Sequence, residues 1–375
     1  MLPRVSIRTY ATGSNLVSVA SKEALGNLST LSVVINNAGS KVGKSGVAHL
    51  LSKFNFLNTE TKSALRFTRE SELLGALYSS NVTRDSIILR TQFLSTELPY
   101  FVESLGNVLT KAAFRPHQLP ELVKPAALAE SSAAYANNSF AALEALHEIS
   151  FRKGLGNPLF YDGTTSVSID EIKEFAAKVY NSDNVKIVGT GVNEEDLKKF
   201  VDESSFSELP SAVAPVFPVE LFKGKEARFR RAGLNIALIG IPVKPADFGK
   251  YEVLSTAVGS SLFENVHTPL ASVPGASSQL LKYNDAGLFV VSVSSADAVA
   301  AAQNIKEAKK IINSVSAQDL SNAVKLTETS LALQSTPEFP QTFKPDPSDA
   351  KVSSLGDFNY VAVGNTDVLP YANEL

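Results

Sequence analysis

The chain has 375 residues, enough for two domains at ~100–200 residues each. Hydrophobic residues make up 44 % and charged residues 19 %, so real cores can form, and a formal net charge of −3 gives no basic field for nucleic acid. Cysteine is absent, which excludes disulfides, thiolate zinc sites and cysteine-held iron–sulfur clusters. Imidazole chemistry must draw on His49, His117, His147 and His267. The best apolar run, Leu234 to Val243, is about half the ~18–20 residues a membrane span needs, so it reads as a buried strand.

The first residues are rich in Arg and Ser, and no acid occurs before Glu23. That is the composition of a mitochondrial targeting segment, expected over residues 1–10 with cleavage between Tyr10 and Ala11. Thr30 to Asn36 reads as a strand, and Gly39, Gly43 and Gly46 then interrupt it. Val47, Leu50, Leu51 and Phe54 fall at helical spacing, and a second helix is expected from about Thr61. Leu74 to Tyr78 and Ser86 to Leu94 read as strands around a polar turn at 79–85. Long helical stretches follow at Leu98 to Phe114 and Pro125 to Phe151.

Ser168 and Glu171 have the spacing of a capping box, and Asn193 opens a helix with three acids in its first turn. Val185 to Gly189 between them reads as a strand. Pro210, Pro215 and Pro218 make 210–224 the expected linker between an N-terminal domain, 11–209, and a C-terminal one, 225–375. In the second half, Ala237 to Val243, Leu288 to Val293 and Phe358 to Val363 read as strands, with helices over Lys250 to Val266 and Ala298 to about Leu333. Val185-Lys186-Ile187-Val188-Gly189 and Asn359-Tyr360-Val361-Ala362-Val363-Gly364 share a strand that closes in glycine, a faint internal repeat. The expected class is α+β, with two related domains, each a mixed sheet packed with helices. Arg228, Arg230 and Arg231 form a small basic cluster, expected as a solvated surface.

The stretch with chemical content is Gly46-Val47-Ala48-His49-Leu50-Leu51-Ser52-Lys53-Phe54. It resembles the zinc helix of the pitrilysin-type peptidases, which carries H-x-x-E-H. Two histidines one turn apart bind a metal there, and the glutamate activates the bound water. In this sequence His49 keeps the first ligand position, Ser52 stands in place of the glutamate and Lys53 in place of the second histidine. A hydroxyl cannot act as the carboxylate base, and an ammonium repels a divalent cation. The resemblance therefore implies no catalysis and no bound metal, with His49 as a structural histidine. The family uses a further glutamate about eighty residues downstream. Glu130 lies near that distance, but Ala126 to Ala134 around it is almost all small residues, and no ligand role is carried onto it.

Further stretches resemble the core-protein branch of this family, the non-catalytic core subunits of fungal mitochondrial ubiquinol–cytochrome c reductase (complex III). They are 46–51 with Phe54-Asn55-Phe56, Arg69 to Gly75, Phe151 to Leu159 with Tyr161-Asp162-Gly163, and Phe358 to Gly364. The resemblance implies a scaffold without cofactor or transmembrane segment, peripheral on the matrix side of the inner membrane. Its implied partners are core protein 1, cytochrome b, cytochrome c1, the Rieske protein and small subunits, in a dimeric complex. The alternative it leaves is a non-catalytic alpha-type subunit of the mitochondrial processing peptidase. Such subunits present substrate through a glycine-rich loop, whereas the comparable stretch here, His267 to Gly287, holds only Gly275 and Gly287.

Overall fold

A computed structural model describes residues 17–212, 219–259, 268–341, 345 and 355–375. The expected targeting segment, with Tyr10 and Ala11, lies outside them, as does His267. The chain divides into two compact units.

The first unit comprises 17–131, 158–212 and 337–339 of the described residues. Its strands are β1 (Ser18–Lys22), β2 (Leu28–Asn36), β3 (Leu77–Val82), β4 (Ser86–Leu94) and β5 (Val185–Thr190), in the order β1-β5-β2-β4-β3. β1 runs parallel to β5 and the other pairs are antiparallel, so the sheet is mixed. Leu31, Val33, Ile35, Ile87, Leu89 and Ile187 point to one face and are fully buried under helices. The helices are α1 (Val47–Phe54), α2 (Ala64–Leu73), α3 (Leu98–Thr110), α4 (Lys124–Tyr135), α6 (Ile169–Val179) and α7 (Glu194–Glu203), with α5 in the other unit. Ser168 and Glu171 form the expected capping box at the start of α6, and Asn193 caps α7. The expected polar turn at 79–85 shrinks to 83–85. Ser79 to Val82 instead pair with β4, because the central β4 offers a full row of backbone partners that outweighs their weak strand preference.

The second unit comprises 132–157, 219–259, 268–336, 340–341, 345 and 355–375. Its strands are β6 (Glu226–Arg230), β7 (Asn235–Val243), β8 (Ala276–Lys282), β9 (Gly287–Ser295) and β10 (Asn359–Gly364). Their order, β6-β10-β7-β9-β8, repeats the first sheet strand for strand, with β6 parallel to β10 as β1 is to β5. The faint repeat therefore marks β5 and β10, equivalent strands next to the one parallel edge of each sheet. β7 is buried along its whole length, as its apolar run implies. One face carries α8 (Phe248–Val258), α9 (Ala298–Asn313) and α10 (Ala317–Gln334). The expected single helix over 298–333 is thus two, with Ser316 capping the second in a box with Asp319.

The other face is covered by α5 (Asn138–Phe151). The expected single helix over 125–151 breaks at 136–137, where the Asn137 side chain caps the start of α5. This is also where the structure departs from the expected domain boundaries. The segment 132–157 belongs with the second unit and 337–339 with the first, while the change of unit after residue 212 falls inside the expected 210–224 linker. A boundary drawn along the sequence cannot register such exchanged segments, because burial of an apolar helix face is decided by whichever sheet is near in space. Of the basic cluster, Arg230 is exposed as expected, but Arg228 is not. Arg228 is largely buried, stacks on Tyr371, and donates to the carbonyls of Thr366, Leu369 and Pro370, fastening the C-terminal residues.

Candidate functional site

The site sits on α1. Val47, Leu50, Leu51 and Phe54 are buried in the first core, and so are His49 and Ser52 between them. A helix buried nearly all round leaves its polar side chains only protein partners. Gly46 precedes α1 with φ +84°, a conformation that favours glycine. A β-carbon there would stand 2.6 Å from the Tyr161 ring. Its absence lets the segment at 160–161 approach α1 closely.

That approach sets the protonation of His49. The Tyr161 backbone N–H donates to His49 Nδ1 at 2.9 Å, and the Phe160 ring lies 4.8 Å from the imidazole. Nδ1 is therefore the acceptor, and the neutral ring carries its proton on Nε2. Nε2 donates to Glu130 Oε2 at 2.8 Å. The Lys53 ammonium, one turn along α1, makes an ion pair with the same oxygen. Burial lowers the pKa of His49, the Glu130 contact offsets part of that fall, and the Lys53 charge adds to it. Burial pushes the Glu130 carboxyl up, but Lys53 and then His49 outweigh it and hold it below its ordinary value. The Ser52 hydroxyl turns back onto its own helix and donates to the His49 carbonyl at 2.7 Å.

The arrangement does not fit zinc. A His49 ligand needs a free ring nitrogen, yet Nδ1 holds the Tyr161 N–H and Nε2 holds a proton on Glu130. The carboxylate a metal would bind already carries an ammonium. Among the described residues no group of three or more His, Asp or Glu side chains converges on one point. The cluster instead joins α1, α4 and the 160–161 segment through one carboxylate and one ring.

Sequence reasoning placed His49, Ser52 and Lys53 on one helix, and the structure sets His49 and Lys53 on a common partner. It left Glu130 aside because its neighbours are small. Of those small residues only Ala127 and Ser131 are buried in α4, and the 81-residue separation from His49 was the available signal. Tyr161 acts through its backbone N–H, which no residue type announces, although 151–163 had been singled out as a block. Of the other histidines, His147 Nδ1 donates to the Leu143 carbonyl and its Nε2 accepts from the Tyr283 hydroxyl, both at 2.7 Å, as a buried ring within the second unit.

The pattern of Insulinase (Peptidase family M16) matches residues 18–163, and that of the Peptidase M16 inactive domain matches 166–326. The cytochrome b-c1 complex subunit 2, mitochondrial, of Debaryomyces hansenii is 62 % identical over 100 % of both chains. The protein of the same name from Saccharomyces cerevisiae is 42 % identical over 98 % of both. The crystal structure of a peptidase M16 inactive domain from Pseudomonas fluorescens superposes with a TM-score of 0.79 over 98 % of this chain and 99 % of that one, at 16 % identity.

Proposed function

The chain belongs to peptidase family M16, and from that membership we propose that it serves as a core subunit of the mitochondrial cytochrome b-c1 complex, the ubiquinol–cytochrome c reductase. It is a non-catalytic, peptidase-like scaffold. The observation that carries this is the end-to-end identity with subunit 2 of that complex, at 62 % and 42 % in two yeasts. The cluster on α1 supports it. His49 and Glu130 remain, but Ser52 supplies no base and the Lys53 ammonium sits on the carboxylate, so His49, Ser52 and Lys53 are a degenerate zinc motif. The protein is mitochondrial, and no described helix is long and apolar enough to cross a membrane. It is peripheral, on the matrix side, where core protein 1, cytochrome b, cytochrome c1, the Rieske protein and small subunits are its partners in a dimeric complex. Residues 1–10 would direct import, with cleavage between Tyr10 and Ala11.

The alpha-type processing-peptidase subunit is the weaker reading. Gly275 and Gly287, the glycines of the comparable stretch, serve packing. A β-carbon on Gly275 would meet the Ser294 carbonyl at 2.1 Å, and one on Gly287 would meet the Phe248 ring at 2.6 Å.

The test is to tag this chain, solubilise mitochondria gently, and record a reduced-minus-oxidised spectrum of the captured material. Bands of b- and c-type haem are expected, with less than stoichiometric zinc in the purified chain. A colourless preparation holding one zinc-bearing peptidase would move the chain to the processing-peptidase reading, and stoichiometric zinc on this chain would overturn the account of His49 and Lys53.

A further inference from the structure

The second unit contains a cationic site that the scaffold reading leaves unused. Arg152 ends α5 with φ 59° and ψ −58°, and the Lys153 N–H reaches back to the Phe151 carbonyl at 2.6 Å. This is the three-residue turn of the rarer hand, a strained conformation for any residue with a side chain. It lays the Arg152 guanidinium 3.8 Å from the centre of the Phe222 ring. Phe222 is itself fixed, since its N–H donates to the Ser150 carbonyl and its carbonyl accepts from Asn359 Nδ2. Lys225 is held at its backbone too, its N–H on Asn359 Oδ1 and its carbonyl accepting from the Tyr360 N–H. An open cavity of about 330 Å³ is lined by Arg152, Lys225, Ile149, Glu148 and Glu226.

The charges in that cavity are unequally committed. Glu226 is bound by Arg228 and by the Ala372 N–H. Among the described residues neither Arg152 nor Lys225 makes an ion pair, and Glu148 makes none either. The Arg152 guanidinium is therefore held on a ring and Lys225 at its backbone, with an excess of one positive charge once Glu226 is neutralised. An anion is the complement. Glu148 and Glu226 on the same walls disfavour a phosphate dianion and leave a single carboxylate as the better match. An arginine spread on an aromatic ring at the edge of a cavity is also the kind of anchor that dominates protein interfaces.

We propose that Arg152, stacked on Phe222, and Lys225 beside it in the cavity form a docking site for one carboxylate of a partner polypeptide, an aspartate, a glutamate or a chain end. This rests on the reading that the chain works inside a multisubunit assembly.

A zero-length carbodiimide joins an ammonium to a carboxylate only when the two touch, so it reads this contact. The assembly, captured intact through the tagged chain, is treated with the reagent and the linked peptides are mapped. Lys225 should link to one acidic residue or carboxy terminus of another subunit. In Arg152→Gly the yield of that link should fall about tenfold, the loss expected for one charge-assisted hydrogen bond. Glycine suits the turn, so the variant's thermal unfolding midpoint should not fall by more than a degree or two, which separates a binding role from a structural one. A Lys225 link confined to Glu148 or Glu226 of its own chain, a link to a second copy of this chain, or an unchanged yield in Arg152→Gly overturns the proposal. So does protection of Lys225 by inorganic phosphate at millimolar concentration with no peptide linked. Haem bands in the captured material are recorded on the same sample. If they are missing while the link is present, the complex III reading fails and the docking site stands. If they are present without the link, only the docking site fails.

Discussion

The two sheets share one strand order, but their faces away from the main helical layer are covered in different ways. In the first sheet that face presents Ser32 opposite Val188 and Val34 opposite Lys186. The equivalent pairs in the second are Ile236 opposite Val363 and Leu238 opposite Val361. Two polar positions in the first thus stand where the second is wholly apolar. The consequence follows from what each can bury. The apolar face takes the helix α5, through Ala142, Ala145 and Leu146, with Gly240 leaving room for Leu146 and Asn138 donating to the carbonyls of Ala232 and Leu234. The mixed face takes the short strap 337–339. Glu338 there accepts from Ser32 Oγ at 2.9 Å and from Arg90 Nη2 at 2.5 Å, and Lys186 Nζ lies 3.3 Å from its carbonyl oxygen. One topology therefore supports a dry cover and a charged one, and substitutions at four positions probe how far they differ.

The largest effect should come from Leu146→Ala. The side chain is fully buried, and its loss should cost about 3 kcal/mol. Urea unfolding would show it, with hydrogen exchange speeding first in β7 and β10; a loss below ~1 kcal/mol would mean that α5 is not what holds that face. Gly240→Val comes next, at roughly 2 kcal/mol, because a β-carbon there would lie 2.6 Å from Leu146. Combining it with Leu146→Ala should recover part of the loss, and strict additivity in the double-mutant cycle would contradict the contact.

Glu338→Ala should cost ~1–2 kcal/mol, less than the apolar substitutions because Arg90 is half exposed and regains water. This cover also carries a pH dependence. Burial raises the Glu338 pKa, but hydrogen bonds from its own backbone N–H, Ser32 and Arg90 outweigh that and hold it below the ordinary 4.5. Its contribution is thus fully present above the ordinary carboxylate value and is lost as pH falls through the lowered one. Protection against hydrogen exchange in β2 and β4 should fall as the pH drops below the ordinary carboxylate range in the parent chain and much less in Glu338→Gln, while β7 and β10 respond equally in both. Ser32→Ala is the smallest step, ~0.5–1 kcal/mol, since it removes one of the hydrogen bonds on that carboxylate. A value above that of Glu338→Ala would mean that Ser32 serves the sheet rather than the strap.

Much of the molecule could be read in advance, and the reasons are local. The capping box at Ser168 and the apolar run of β7 act within a few residues of themselves. β1, β6 and β8 escape the sequence reading, because their charged or serine-rich residues become strands only through pairing with β5, β10 and β9. At the site, the replacement of two zinc-motif residues by Ser52 and Lys53 was visible, since a residue's chemistry survives in any fold. The hydrogen bonds that decide the state of His49 were not, because Glu130 is 81 residues away and Tyr161 contributes only its backbone N–H.

The sequence by itself determined a two-domain α+β chain whose His49 helix resembles the family's zinc helix with two motif residues replaced, because composition, periodicity and side-chain chemistry are properties of short stretches. Only the tertiary structure decided that α5 leaves its sequence neighbours to cover the second sheet, that 337–339 straps the first, and that the Lys53 ammonium shares Glu130 with His49. Those outcomes depend on which apolar faces and which charges meet across long separations, and burial and pairing energies act on nearness in space, not on order along the chain.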